Sequence, residues 1–456
     1  MGIIQLFNDK KFFKSMLKLA IPIALQNLIL SSLNLVDTII IGGLGETAIA
    51  SVGLANQYFF LLNLLLFGIT SGSSIFTAQY WGNKDIKNIR RVLGLCLLTG
   101  CSAALLFTLG GLFFPKQILS IFSKDADVIM LGSQYLKIIV FSYVITSITF
   151  AYSFTLRSTG QVKIPMIVSV TALAINTILN YLLVYGYFGF PKMGTNGSAT
   201  ATLIARIIEM CLILFAVYRK NNVIAAKFSE LMDLSKAFIL NFFKVTIPVI
   251  LNESIWALGV TMYAIVYARM GTEVIASTNI SSTVERITWV IFMGLGNACA
   301  VMIGHKIGEG NEKDAFIYAK RFIILGPVFA MFAGILVFFT SPWILSAYKV
   351  SPVVYNYAAK NLIVFSIFLW VKVFNFTSIV GILRSGGDTT FCLILDTGGV
   401  WLIGVPLVFL GGLVWHLPVY YVYALVYMEE VAKLIIGLPR ILSKKWINNL
   451  ASKTVV

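Results

Sequence analysis

Apolar runs of about 20 residues, separated by short polar intervals, recur along the whole chain, and a run of that length crosses the roughly 30 Å core of a bilayer as a helix. The pattern predicts twelve such helices, over 15–43, 50–79, 92–114, 130–153, 163–187, 198–218, 242–268, 275–304, 321–345, 355–382, 391–413 and 418–440. Most connections are short and carry turn residues, as in GGLGE at 42–46, FPKMGTNG at 190–197 and LRSGGD at 383–388. The polar interval 218–241 is the longest and is too short to hold a core of its own. The expected organisation is therefore six helices in 1–218, a linker over 219–241 and six helices in 242–456, in an all-α polytopic membrane protein. Composition agrees: the 456 residues are 58% hydrophobic and 12% charged, with a mean hydropathy of +0.88, outside the range of soluble domains. The N-terminus lacks a short apolar stretch ending in a small-residue cleavage site, so the first helix is expected to be its own uncleaved targeting signal.

The halves are a repeat. Lys18-Leu-Ala-Ile-Pro22 returns as Lys244-Val-Thr-Ile-Pro248, an offset of 226 residues. The same offset carries Gly45 to Gly271, Ile49-Ala50-Ser51 to Ile275-Ala276-Ser277, Gly68 to Gly294 and Gly82 to Gly308, and an offset of 227 carries Leu156-Arg157-Ser158 to Leu383-Arg384-Ser385. Six helices per half is an even number, so both halves start on the same side and form parallel-repeat six-helix bundles. Two such bundles are expected to face each other across a central cleft and to rock about it.

The net charge of +16 is a topology signal rather than a nucleic-acid footprint. With the N-terminus inside, roughly two dozen Lys and Arg fall at cytoplasmic ends and about five outside, as the positive-inside rule requires. The inside set comprises Lys10 to Lys18, Lys84 to Arg91, Arg157, Lys163, Arg219 to Lys244, Lys306 to Arg321, Arg384, and Arg440 to Lys453. Cys96, Cys101, Cys211, Cys299 and Cys392 lie in or beside apolar segments and read as small buried hydrophobes.

Against this background the polar residues inside apolar helices carry the candidate chemistry. Asp37 is the first: a carboxylate near mid-bilayer costs about 2.5–3.5 kcal/mol even on lenient scales. Asn27, Ser31, Asn34, Asp37 and Thr38 recur at helical spacing, a stripe expected to line a wet cavity or a packed bundle interior. In the fifth helix Asn176 and Asn180 are one turn apart, placed either to coordinate a cation or to bond a neighbouring helix. Glu253, Trp256, Tyr263 and Tyr267 share a face of the seventh helix; an acid with aromatic rings suits an organic cation, and packing is the alternative, the better one for Tyr267. Lys372, with Asn375 a turn on, would lose its proton in the membrane or find a partner; Glu253 is a candidate, either in a pair that opens when substrate or a proton arrives or in a permanent salt bridge. Arg206 with Glu209 and Glu429 with Lys433 are spaced to pair within a helix, while Glu285, Arg286 and Asp396 have no evident role in theirs. The acids do not follow the repeat: Asp37 corresponds to Tyr263, and Glu253 to Asn27. No G-x-x-x-x-G-K-[ST] loop, H-E-x-x-H or Ser/His/Asp arrangement occurs, and His305 and His416 suggest no zinc or haem site.

With Asn34-Leu-Val-Asp37-Thr, Gly42-Gly-Leu-Gly45, the paired Leu-Arg-Ser-x-Gly elements at 156–160 and 383–387, and Gly194-x-x-Gly197-x-Ala199-x-Ala201-Thr202, the chain resembles the MATE family of multidrug and toxic compound extrusion transporters over nearly its full length, in the prokaryotic type with an Asp in helix one. The resemblance implies a secondary antiporter in the plasma membrane, with both termini cytoplasmic, that expels organic, often cationic compounds in exchange for H⁺ or Na⁺. It implies two lobes around a V-shaped cleft, no cofactor beyond the coupling ion, and no nucleic-acid partner; the chain is expected to be a monomer in the lipid bilayer. It makes Asp37 the coupling acid, with Asn34, Asn176 and Asn180 beside it and Glu253 as a second coupling acid; Asp37, Asn176 and Asn180 would hold Na⁺ if sodium is the ion. Asp37, Glu253, Trp256, Tyr263, Lys372 and Asn375 are then the substrate contacts. The family places an Asp where this chain has Asn180, which can carry neither charge nor proton. The rivals are a flippase of a related superfamily for lipid-linked saccharides, an intramembrane enzyme using Asp37 and Glu253, and a channel, the last disfavoured by the lack of a filter-like loop.

Overall fold

The computed structural model describes residues 9–219 and 222–452, apart from the side chains of Leu33 and Asn34. Lys220 and Lys453 of the expected cytoplasmic charge set, and residues 1–8 of the N-terminus, lie outside the described residues. Thirteen long helices follow one another: α1 (Lys10–Gly42), α2 (Glu46–Gly82), α3 (Ile86–Phe113), α4 (Ala126–Ile139), α5 (Phe141–Ser158), α6 (Lys163–Tyr185), α7 (Gly194–Arg219), α8 (Lys236–Met270), α9 (Thr272–Gly308), α10 (Glu312–Ser346), α11 (Pro352–Leu383), α12 (Thr389–Val414) and α13 (Val419–Leu442). Among the described residues there is no strand. Ten of these helices are long and apolar enough to cross a membrane, and α4 with α5, bent by 48°, forms an eleventh such segment. The helix predicted over 130–153 is therefore a broken one. No proline marks the break; the Thr108 hydroxyl donates to the Val140 carbonyl at the bend (3.0 Å) and draws it away from the helix ladder. The twelfth predicted segment is α13, which carries Glu429, Glu430, Lys433 and Arg440. Glu429, Glu430 and Lys433 cluster near its middle, which leaves it without the long stretch of low charge that the other ten have.

The repeat is visible in the geometry. Helices α2 and α9 are each 37 residues long and start 226 residues apart, each after a glycine with positive φ, Gly45 at 103° and Gly271 at 132°. Asp85 caps α3 by accepting the Asn88 N–H, and Asn311, at the same offset, caps α10 by accepting the Asp314 N–H, both at 3.1 Å. The repeat is not complete. Helices α11 and α12 contain π-type wide turns at Thr377–Leu383, Gly399–Gly404 and Leu410–Val414, whereas α5 and α6 are regular.

The chain divides into two compact units, Leu25–Thr246 (the N unit) and Met1–Ala24 with Ile247–Val456 (the C unit), so the division passes through α1 and α8. The N unit is packed around Leu62, Leu66, Leu136, Tyr143 and their neighbours. Its α6 and α7 approach closely because Gly197 has no side chain: a Cβ there would stand 2.5 Å from the Leu183 carbonyl oxygen. A core of the C unit gathers Tyr263, Val266, Val400, Val408 and Val422.

Candidate ion and substrate sites

In the N unit Asp37 is 8% exposed, and the side-chain amide of Asn180 on α6 donates to its carboxylate (2.5 Å). Asn176, one turn earlier, donates to the Thr202 hydroxyl of α7 (3.1 Å). Both asparagines are fully buried, and the side-chain carbonyl oxygens of both accept no hydrogen bond among the described residues. Two orphaned amide oxygens are costly in a membrane interior. Together with the Asp37 carboxylate they are hard oxygen donors of the kind that suits Na⁺. The predicted stripe divides: Asp37 is buried, Ser31 is exposed and bonds the Asn27 carbonyl, Thr38 is exposed, and the side chain of Asn34 lies outside the described residues.

Asp37, Glu209 and Glu429 are the buried carboxylates among the described residues. Glu209 pairs with Arg206 (2.7 Å) and Glu429 with Lys433 (3.3 Å), as their spacing predicts. Among the described residues Asp37 has no ion pair, and its carboxylate is met by a neutral amide.

A buried polar chain is duplicated in the two units. In the N unit Arg157 donates to Gln26 (3.0 Å), Gln26 to Ser169 (3.0 Å) and Ser169 to Glu209 (3.1 Å). In the C unit Arg384 donates to Asn252, Asn252 to Asp396 (2.9 Å), and Lys433 binds Asp396 (3.0 Å). Gln26 and Asn252 are 226 apart, and Ser169 and Asp396 are 227 apart. The sequence carried this signal at the repeat offset, so Asp396 has a role that its own helix did not reveal.

The C unit holds a cavity of about 380 Å³ lined by α8, α9, α11 and α13. Trp256, Tyr263 and Tyr267 of α8 and Tyr427 of α13 supply aromatic wall; Glu285, Glu429, Glu430 and Lys372 supply charge. Tyr267, for which packing or an interfacial belt was the better sequence reading, therefore faces the cavity. Glu253 and Asn375 are not in the lining. Lys372 does not pair with Glu253, as the sequence suggested, but with Glu285 of α9 (3.2 Å), and it stands 5.1 Å over the Trp289 ring. Glu253 is held by Arg384 (2.7 Å), which follows the wide turn of α11. Asn375 donates to the Glu430 carboxylate (2.6 Å), and the Tyr263 hydroxyl to Glu429 (2.5 Å). Gly404 makes this last bond feasible, since a Cβ there would overlap both the Tyr263 hydroxyl and the Glu429 carboxylate.

The family model MatE matches residues 22–182 and 248–410, one match in each half of the chain. The chain belongs to the MatE family. Family members similar to it include the probable multidrug resistance protein NorM of Thermotoga maritima, 24% identical over 407 residues that cover 87% of this chain and 85% of that one. The probable multidrug resistance protein YoeA of Bacillus subtilis is 26% identical over 403 residues, 87% of this chain and 86% of that one. The fold matches the outward-facing conformation of a multidrug resistance MATE family transporter of the MOP superfamily with a TM-score of 0.86 at 18% identity, over 98% of this chain and 99% of that one. This MatE chain is thus a multi-pass membrane transporter and not an enzyme.

Proposed function

We propose that the protein is a multidrug efflux antiporter that exports organic, mainly cationic compounds in exchange for H⁺ or Na⁺ by alternating access of its two repeats. The relatives' names support multidrug efflux. The observation that carries the coupling is Asp37, a buried membrane carboxylate whose partner is a neutral amide where the other buried acids have ion pairs. A group in that state gains most from an incoming cation. A proton on Asp37 would remove its charge; Na⁺ would do the same while engaging the Asn176 and Asn180 carbonyl oxygens, and these orphaned acceptors favour the sodium reading. Asn180 then acts as an orienting donor to Asp37 and not as a second acid.

The C-unit cavity is the substrate site in this reading, with Trp256, Tyr263 and Lys372 among its contacts. Its charged lining, three carboxylates against one lysine, suits a cation and disfavours the phosphate of a lipid-linked saccharide. Glu253 and Asn375 act behind the lining, through Arg384 and Glu430. The protein works as a monomer in the plasma membrane, with cytoplasmic termini.

The test is ethidium efflux from vesicles under separately imposed pH and Na⁺ gradients, comparing wild type with Asp37→Asn and Glu253→Gln. Gradient-driven efflux in wild type that falls at least tenfold in Asp37→Asn is the expected result. Full ion-coupled efflux in Asp37→Asn would refute the coupling role, and no gradient-driven efflux of any cation in wild type would refute the antiport.

A further inference from the structure

The C unit carries more acid than base in its interior. Glu253 has Arg384 and Glu285 has Lys372, but Lys433 alone serves three carboxylates, Asp396 (3.0 Å), Glu429 (3.3 Å) and Glu430 (3.3 Å). One ammonium cannot neutralise three carboxylates, and the excess lies on α13, where Glu429 and Glu430 line the cavity. A second observation points the same way. Tyr423, six residues before Glu429 on α13, lines the same cavity, is 7% exposed, and its hydroxyl makes no hydrogen bond among the described residues. A hydroxyl buried beside an acid-rich cavity with nothing to bond is matched by a ligand that brings a polar hydrogen.

We propose that Glu429 and Glu430 form an exchange site that holds either a proton or the ammonium group of an aromatic amine lodged in the C-unit cavity, with the Tyr423 hydroxyl accepting a hydrogen bond from the ammonium N–H. This deepens the antiport reading and rests on it: it places the exchangeable charge of the C unit on the last helix rather than at Glu253, whose carboxylate is tied to Arg384. The groups facing the pair are Tyr263 and Tyr267 from α8, Glu285 from α9, Lys372 and Asn375 from α11, Asp396 from α12, and Tyr423, Tyr427 and Lys433 from α13 itself. Of these, the Tyr263 hydroxyl and the Asn375 amide are neutral donors, and they hold the two carboxylates in place in either state. The rings of Trp256, Tyr263, Tyr267 and Tyr427 take the aromatic body of the ligand. The exchange is balanced in simple terms: a carboxyl O–H forms as a proton enters from water, and the same bond breaks, returning the proton to water, as the ammonium arrives.

Tyr423 gives the site a selectivity that charge alone would not. A phenethylammonium ion has N–H donors for its hydroxyl; the N,N,N-trimethyl counterpart has the same charge and ring and no such donor.

The experiment is calorimetric binding of these two ligands to the purified full-length protein in detergent between pH 6 and 8, with parallel detection of released protons by an indicator dye. In wild type, phenethylammonium is expected to bind less tightly as pH falls, releasing close to one proton per ligand at the acid end. Glu430→Gln and Glu429→Gln should each weaken binding about tenfold, a charge-assisted contact, and reduce the proton release, while Glu430→Asp restores both in part. Tyr423→Phe should weaken phenethylammonium about fivefold, as for one neutral hydrogen bond, and leave the trimethyl ligand unchanged. Thermal melts identify any variant that fails to fold; the Tyr423→Phe comparison between two ligands does not depend on the glutamates. Wild-type affinity and proton release in both Gln variants would overturn the exchange site, as would equal weakening of both ligands in Tyr423→Phe overturn the tyrosine's role. If vesicle efflux is gradient-driven while these binding results fail, the inference falls and antiport stands; if wild type binds neither ligand and drives no efflux, both fall.

Discussion

Arg384 ties Glu253 to Asn252 and thereby joins the seventh predicted span to the tenth, so its removal should register as stability before it registers as transport. Arg384 is 3% exposed and Glu253 14%, so the pair is little screened by water. Breaking a buried pair by deleting one partner costs about 3–5 kcal/mol because it strands the other charge. Arg384→Met is expected to lose stability on that scale in a thermal melt, and Arg384→Met with Glu253→Gln to regain more than half of the loss. If the double variant melts no higher than the single one, the ion pair is not what the arginine supports. At this scale the sequence was informative about which residues are costly and uninformative about which ones meet. Asp37, Asn176 and Asn180 were legible because single polar residues in long apolar helices stand out. The Lys372 partner was not: Glu285 and Glu253 lie on different helices, and their distances to Lys372 depend on how α8, α9 and α11 pack, and on the wide turn that carries Arg384 toward Glu253.

Among the elements, the linker between the repeats is held more firmly than its polar composition suggests. Its short helix Phe228–Leu231 lies against α3, where Arg90 binds Glu230 and Arg91 binds Asp233, both at 2.5 Å, and Lys87 adds a contact to Asp233 at 3.2 Å. The Lys227 N–H, first, and Arg90 hold the Glu230 carboxyl below its usual 4.5, and Arg91 and Lys87 hold that of Asp233 below 3.8. A carboxylate with a lowered folded-state value contributes stability that is present above its unfolded value and lost as pH falls through the folded one. Linker attachment should therefore be constant above about pH 4.5 and weaken below about pH 4. Hydrogen exchange over 222–235 measured across that range should show protection falling at the acid end. Protection that already falls between pH 7 and 5 would mean that these ion pairs do not hold the linker. The helices themselves were legible from apolar run length, including α13, where the predicted 418–440 meets Val419–Leu442. The break in α4–α5 and the wide turns of α11 and α12 were not: the hydroxyl bond at the break joins residues 32 apart in sequence, and the wide turns leave no local pattern of apolar and polar positions.

For the whole molecule, the proposed orientation in the membrane rests on charge and on contacts inside each unit. In the N unit, ion pairs bring the start of α3 and the linker together. In the C unit, Asp9 before α1 pairs with Arg321 of α10 (2.8 Å), and Asn449 after α13 donates to the Ile307 carbonyl at the end of α9 (3.0 Å), so the two ends of the described chain lie at one end of that unit. Those ends carry the Lys and Arg excess, which the positive-inside rule places in the cytoplasm. The five native cysteines form no disulfide, so a cysteine-less background is accessible, and single cysteines can replace exposed residues in it. Ser229, Lys313 and Lys445 should then label with a membrane-impermeant maleimide only from the cytoplasmic face, and Lys124 and Phe188 only from outside. The reverse pattern would overturn the orientation, and a mixed one within either group would overturn the parallel arrangement of the repeats. In the proposed antiport with cytoplasmic termini, protons or Na⁺ entering down their gradients would reach Asp37 from the outer side while organic cations leave; in inverted vesicles loaded so that the ion runs outward, the exchange should therefore accumulate ethidium, and failure to accumulate it under either ion gradient would count against that reading.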